Sequence, residues 1–232
     1  MLSLLWRFTL RVALLALIAI TLVQFWFFAG VWYWSINEPG STAFMRARLA
    51  HLREDDPHAR IQYAWVSYAR ISAHLKRAVV AAEDAKFFQH SGFDWDGIRH
   101  ALERNVREGE VVAGGSTITQ QLAKNLFLSG GRTWWRKAQE AAIAVMIEIV
   151  MEKRRILELY LNVAEWGDAV FGAEAAARYH FGIAAVDLRS EQAARLAAIL
   201  PSPRRYTPGR TTSYLEKRTA TILARMNAVR VP

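Results

Sequence analysis

Glu83 and Asp84 stand side by side at the end of an apolar run, in AAEDAKFFQHSGFDWDGI. Set against Phe87 and Phe88, Glu83 would lose part of its water, which raises a carboxyl pKa and suits it to proton transfer. The plainer alternative is a solvated acidic pair at a helix end. A second group of chemistry-bearing residues runs from Gly114 to Glu148, in GGSTITQQLAKNLFLSGGRTWWRKAQEAAIAVMIE. Gly114 and Gly115 free the backbone, Ser116 is the expected helix N-cap, and Gln120 and Lys124 fall on one helical face at i,i+4. Beyond the Gly130-Gly131 break come Arg132, Arg136, Lys137 and Glu140. Arg136 and Glu140 alone would be a surface ion pair worth a few tenths of a kcal/mol. Four cations, Lys124 included, around one carboxylate beside a glycine break point instead to a diphosphate site. The diphosphate is held either directly or through a divalent cation, Mg2+ or Mn2+, that bridges to Glu140 as candidate metal ligand; no cofactor is obligatory. GGSTITQQ lacks the spacing of a P-loop.

A third stretch, KRRILELYLNVAEWGDAVFGAEAAARYHFG from Lys153 to Gly182, reads as structural by itself. Glu158, Asn162 and Glu165 are candidate site residues in it, with helix-terminal or capping roles at least as well supported. His90 and His180, far apart and without a third ligand, favour structural roles over zinc.

The elements that must position these groups are helical. Apolar periodicity predicts helices over Arg70–Glu83, Asp96–Glu108, Thr117–Leu128, Thr133–Glu152, Arg154–Val163, Ala169–Tyr179, Ser190–Leu200 and Thr212–Asn227, with few strand signals. Glycine pairs, Gly182 and Pro201/Pro203 punctuate them. No internal repeat or low-complexity tract interrupts the pattern.

The chain has 232 residues, 53% of them hydrophobic, enough for one buried core plus an anchor. Its 30 Lys and Arg against 21 Asp and Glu suggest an anionic partner: nucleic acid, lipid headgroups or a phosphorylated substrate. Cysteine is absent, so neither disulfides nor thiolate metal sites contribute. From Val12 to Trp34 no residue is charged, and about 23 residues at about 1.5 Å each span about 34 Å, enough for a bilayer core. Arg7 and Arg11 precede this run and Glu38 follows it, which orients the N-terminus to the cytoplasm. Trp26, Trp32, Tyr33 and Trp34 suit the outer interface, and Phe25–Phe28 occupy the region where a signal peptidase would need small residues. The expected organisation is a cytoplasmic tail over 1–11, a transmembrane helix over 12–34, a linker or membrane-proximal segment over 35–60 and an all-α catalytic domain over 61–232.

Five stretches in order, AEDAKFFQHSGFD, GGSTITQQLAKNLFL, RKAQEA, KRRILELYLNVAEWG and AAILPSPRRY, resemble the glycosyltransferase domain shared by bifunctional penicillin-binding proteins and the monofunctional biosynthetic peptidoglycan transglycosylases (glycosyltransferase family 51). They span about Glu83–Tyr206. The resemblance implies a lysozyme-like helical fold with a membrane-proximal lobe, and polymerisation of lipid II into β-1,4-linked glycan with release of undecaprenyl diphosphate. It implies that Glu83 is the general base and that Glu140 lies near the donor diphosphate or its metal. Ser116, Gln121, Lys124, Arg132 and Lys137 are the implied substrate-binding residues, and Asp84 supports the loop. The last motif usually reads Ala-Gly-x-Pro where this chain has Ala198-Ile199-Leu200-Pro201, a departure that touches packing more than chemistry.

The implied setting is a bacterial inner membrane crossed once, with the catalytic domain in the periplasm. The implied partners are lipid II, the growing glycan, the membrane and proteins of cell-wall synthesis or division. Nucleic acid is disfavoured because the cations accompany carboxylates rather than form a continuous stripe. Ser-x-x-Lys does not follow the domain and Lys-Thr-Gly is absent, so no transpeptidase activity is expected. The rival is a lytic transglycosylase or muramidase on the same fold, which needs an acidic glutamate but no cation cluster.

Overall fold

In a computed structural model, described for residues 2–109, 114–129, 131, 133–210 and 212–232, the chain opens with one long helix, α1 (Leu2–Ile36). Nine further helices follow among the described residues: α2 (Ala43–Asp55), α3 (Ala73–Glu83), α4 (Trp95–Glu108), α5 (Ile118–Phe127), α6 (Trp134–Val150), α7 (Lys153–Val163), α8 (Ala173–Phe181), α9 (Ser190–Ile199) and α10 (Ser213–Met226). The protein is all-α in class, as the periodicity predicts.

Two of the predicted elements take a different form. The helix expected over Ala169–Tyr179 begins only at Ala173. Ahead of it a small sheet of order β1-β3-β2 forms from β1 (Gln62–Tyr63), β2 (Glu165–Gly167) and β3 (Val170–Phe171), with β1 parallel and β2 antiparallel to β3. These strands are too short for alternation to register in sequence. Gly172 makes the turn from β3 into α8 with φ of +86°, and a Cβ there would meet the Asn162 carbonyl at 2.7 Å. The segment read as a linker over 35–60 carries α2, whose Thr42 side chain caps its first turn by accepting from the Met45 amide.

The core lies where α3, α5, α7, α8 and α9 converge. Leu75, Val79, Leu122, Leu157, Leu161, Leu196 and the largest fully buried side chain, Trp166, are all withdrawn from water. Burial of this kind stabilises by roughly 1.5–3 kcal/mol per large side chain.

α1 behaves differently along its length. Every described side chain from Leu5 to Val23 is exposed, about 19 residues or about 28 Å of helix. From Gln24 a stripe at helical spacing, Gln24, Phe27, Gly30, Val31 and Trp34, faces the domain. Gln24 and Gln139 of α6 exchange two amide hydrogen bonds at 2.9 and 3.1 Å. Phe27 meets Phe127 edge-on at 5.9 Å, and a Cβ on Gly30 would sit 2.7 Å from the Phe127 ring. Arg155 donates to the Trp34 and Asn37 carbonyls at 3.0 and 2.6 Å, tying the end of the helix to α7. Leu5–Ile36 is long and apolar enough to cross a membrane.

Candidate active site

Glu83 is the last residue of α3, a helix started by Ser72, whose hydroxyl accepts from the His74 amide at 3.2 Å. The helix stops because Asp84 leaves the helical conformation and uses its carboxylate elsewhere. One oxygen of Asp84 bonds His90 Nε2 at 2.9 Å, and the other accepts from the Ile118 amide at 3.1 Å. Asp84 therefore pins the end of α3 to the first turn of α5, a loop-supporting role. The adjacent pair is thus divided: Asp84 ties the chain to His90 and the start of α5, while Glu83 faces Gln121 and Arg218.

The Glu83 side chain keeps only 11% of its surface exposed. Its oxygens are held separately: Gln121 Nε2 donates to Oε2 at 3.0 Å, and Arg218 of α10 donates to Oε1 at 3.3 Å. The buried Tyr160 hydroxyl donates to Gln121 Oε1 at 3.0 Å, which fixes the amide with its NH2 toward the glutamate. Burial pushes the Glu83 pKa above the ordinary carboxylate value, and the Gln121 hydrogen bond, Arg218 and Lys124 act against that rise. A buried carboxylate with its basicity raised and its ionised form still supported is what general-base catalysis requires.

Gln121 and Lys124 reach the site because α5 starts where it does. The N-cap is Thr117, not the expected Ser116: Thr117 and Gln120 form a reciprocal capping box, and the Thr117 hydroxyl donates to the Gly92 carbonyl at 2.6 Å. Gln120 is consumed in that cap, so the functional face carries Gln121 with Lys124. Ser116, one residue earlier, accepts from Lys137 Nζ at 3.1 Å.

Glu140, on α6, is 3% exposed and pairs with Lys137 and with Arg136 at 3.5 Å. An exposed i,i+4 pair would contribute little; a buried carboxylate between two cations is held in one place. Burial lowers the Lys124 pKa, Glu140 and Glu83 raise it, and Arg136 and Lys137 lower it, so Lys124 feels both glutamates and both other cations. Arg132 lies outside the described residues, as does Gly130. The structure thus gathers Glu83, Gln121 and Lys124 on one side and Ser116, Lys137 and Glu140 on the other, with Lys124 between them electrostatically.

A cavity of about 540 Å³ opens beside Gln121 and Lys124, which wall it together with Tyr160, Glu165 and Arg204. Glu165 is buried and accepts the Arg204 fork at 2.9 to 3.2 Å, with Arg48 at 3.7 Å. Of the other two carboxylate or amide candidates in that stretch, Glu158 accepts from the Tyr68 amide at 2.6 Å and Asn162 bonds both backbone groups of Val66 at 2.9 Å, which are structural roles. His180 bonds the Trp166 carbonyl at 2.8 Å and His90 is committed to Asp84, as their structural reading predicts.

A divalent cation does not fit as a resident of the protein at Glu140. That carboxylate already faces two cations, and among the described residues no three His, Cys, Asp or Glu form a metal-binding group. No step below is routed through one.

Sequence reasoning missed Tyr160 and Arg218. Tyr160 sits in an amphipathic helix where its ring reads as core, and Arg218 is one of several basic residues on α10, with nothing local to mark its reach of 135 positions back to Glu83.

A family model described as transglycosylase matches residues 51–227. The biosynthetic peptidoglycan transglycosylase of Nitrosospira multiformis is 54% identical over 97% of this chain and 98% of its own length. That of Laribacter hongkongensis is 57% identical over 95% and 96%, and that of an Azoarcus strain 59% identical over 87% of each.

Proposed function

We propose that this chain, which belongs to the transglycosylase family and is a peptidoglycan glycosyltransferase, works with Glu83 as the base and with Glu140 and the surrounding cations as the holder of the diphosphate. The 4-hydroxyl of one lipid II unit attacks the anomeric carbon that carries the diphosphate of the growing chain. Glu83 takes the hydroxyl proton, the new C–O bond forms with inversion, the bond to the diphosphate oxygen breaks, and undecaprenyl diphosphate leaves. Negative charge collects on the departing diphosphate as that bond stretches. Lys124 and Lys137 answer it as cations, aided by Ser116, and Glu140 holds Lys137 and Arg136 in position; Arg132 joins them by its place in the sequence motif alone. Gln121 orients the base and borders the acceptor cavity.

The observation that carries this reading is the pairing of a nearly buried Glu83, held by Gln121 and Arg218 next to a cavity that Gln121 and Lys124 line, with a second buried glutamate, Glu140, flanked by Arg136 and Lys137. A glycan-cleaving enzyme needs its glutamate protonated and has no use for a buried second glutamate flanked by Arg136 and Lys137.

The same reading places residues 1–11 in the cytoplasm, the span over 12–34 in the inner membrane, 35–60 beside it and the catalytic domain, 61–232, in the periplasm. Arg7 and Arg11 before the apolar run support that orientation. Proteins of wall synthesis or division are the partners such a location offers.

The test supplies the purified full chain, in detergent, with lipid II and separately with finished glycan. Polymer and free undecaprenyl diphosphate from lipid II are expected; shortening of finished glycan without polymer from lipid II would overturn the reading.

A further inference from the structure

We infer that Tyr214, stacked on Tyr206 beside the cavity, is an outer sugar-binding platform for the growing glycan strand once it has passed the reacting centre. This rests on the reading of the chain as a glycan polymerase and adds a place for the lipid-free end of its donor. Tyr206 and Tyr214 lie nearly parallel, at 23° with centroids 5.1 Å apart, and Tyr214 remains 47% exposed. The guanidinium of Arg205, a residue of the cavity wall, sits over the Tyr206 ring at 5.4 Å, so the stack continues that wall outward. Thr212 caps α10 by accepting from the Leu215 amide at 3.2 Å, which holds the first turn, and Tyr214 with it, in place.

Three features choose the occupant. First, position: Tyr214 and Arg218 are i,i+4 neighbours on α10, about 6 Å apart along its axis, and Arg218 donates to Glu83. The platform therefore stands one helical turn from a residue that holds the base. Second, chemistry: the negative face of an aromatic ring suits the C–H-rich face of a pyranose. Neither tyrosine hydroxyl has a hydrogen-bond partner among the described residues, which leaves both for sugar hydroxyls. Third, direction: each turnover lengthens the strand at its diphosphate-bearing end, so the older sugars must move off from Glu83 on a side other than the cation cluster. α10 packs on α3, which carries Glu83, and on α9, whereas the anchor α1 packs on α6, which carries Glu140, Arg136 and Lys137. The free end of the strand leaves along the first group of helices and the lipid-bearing diphosphate along the second. An incoming lipid II does not suit the platform, because its sugars end at the 4-hydroxyl that Glu83 deprotonates and its other end is tied to lipid.

The experiment uses the full-length chain in detergent, with circular dichroism on every variant. It compares kcat/KM for a lipid-linked octasaccharide donor with that for lipid II as donor, lipid II being the acceptor throughout, and measures the length of the strands made. Tyr214→Ala should lower the long-to-short ratio about tenfold and shorten the strands. Tyr214→Trp, which restores an aromatic face, should keep both near wild type. Tyr179→Ala, which removes a comparably exposed tyrosine from α8, should change neither. A ratio and strand length unaltered by Tyr214→Ala, an equal loss on both donors, or a loss that Tyr214→Trp shares would overturn the inference. Binding of a peptide-free octasaccharide strand, read by titration calorimetry, should weaken in Tyr214→Ala and not in Tyr179→Ala. Unchanged binding in Tyr214→Ala would overturn the platform without any turnover, whereas a wild type that makes no polymer from lipid II would overturn the underlying reading instead.

Discussion

A carboxylate that takes a proton from a sugar hydroxyl has to be ionised before the reaction and yet basic enough to want the proton, and the surroundings of Glu83 set that balance. Burial raises its pKa, while Gln121, Arg218 and Lys124 hold it back. The acidic limb of the polymerisation rate should therefore lie above the ordinary carboxylate range. Arg218→Met removes an opposing cation and should move that limb to higher pH, with Arg218→Lys restoring part of the shift; a limb that stays in place in Arg218→Met would show that the pair does not tune the base. Tyr160→Phe frees the Gln121 amide to turn and should lower kcat more than it alters KM, measured by steady-state kinetics. The linkage with stability runs in a definite direction. A folded-state pKa above the unfolded value means that stability is greatest below the unfolded pKa and is lost as pH rises through the folded one. Glu83→Gln, permanently neutral, should thus melt at or above the wild-type temperature at neutral pH. Glu83, Lys124 and Glu140 were legible because each sits in a short local motif; Arg218 and Tyr160 were not, because the contact that gives each its role is made across distant helices.

Among the elements, α5 carries most of the positioning. Its start is set by Thr117, which closes a capping box and donates to Gly92, and Thr117→Ala should cost about 1–2 kcal/mol in thermal or urea unfolding. Activity should fall as well, since Gln121 and Lys124 lie within the first two turns. A second structural prediction concerns Gly172. Its positive φ and the Asn162 carbonyl leave no room for a Cβ, so Gly172→Ala should destabilise by about 1–3 kcal/mol in the same measurement. The long helices were readable from apolar spacing. The small sheet was not, since strands of two or three residues show no period and their pairing is fixed by contacts from Gln62 to Phe171. The N-cap was misplaced by one residue because Ser116 and Thr117 are both good caps, and only the tertiary bond to Gly92 decides between them.

For the whole molecule, the anchor and the catalytic domain form a continuous structure rather than two parts on a tether. The stripe from Gln24 to Trp34 docks on α5, α6 and α7, and the exposed stretch before it is about as long as a bilayer core is thick. The apolar run was plain in the sequence, but its division into a free part and a docked part was not, since the run carries no charge from Val12 to Trp34 to mark where docking begins. The chain has no cysteine, so single introduced cysteines report sidedness cleanly. In intact cells a membrane-impermeant maleimide should label Ser190→Cys and spare Ser3→Cys, and the opposite pattern would reverse the orientation. The most direct test of the division of labour between Glu83 and the cation cluster is single-turnover polymerisation of lipid II by Glu83→Gln beside the wild type, with melting curves for both. The rate should fall by about 10²–10⁴ with melting unimpaired and KM little changed; near-normal turnover by the variant would contradict the assignment of Glu83 as the base.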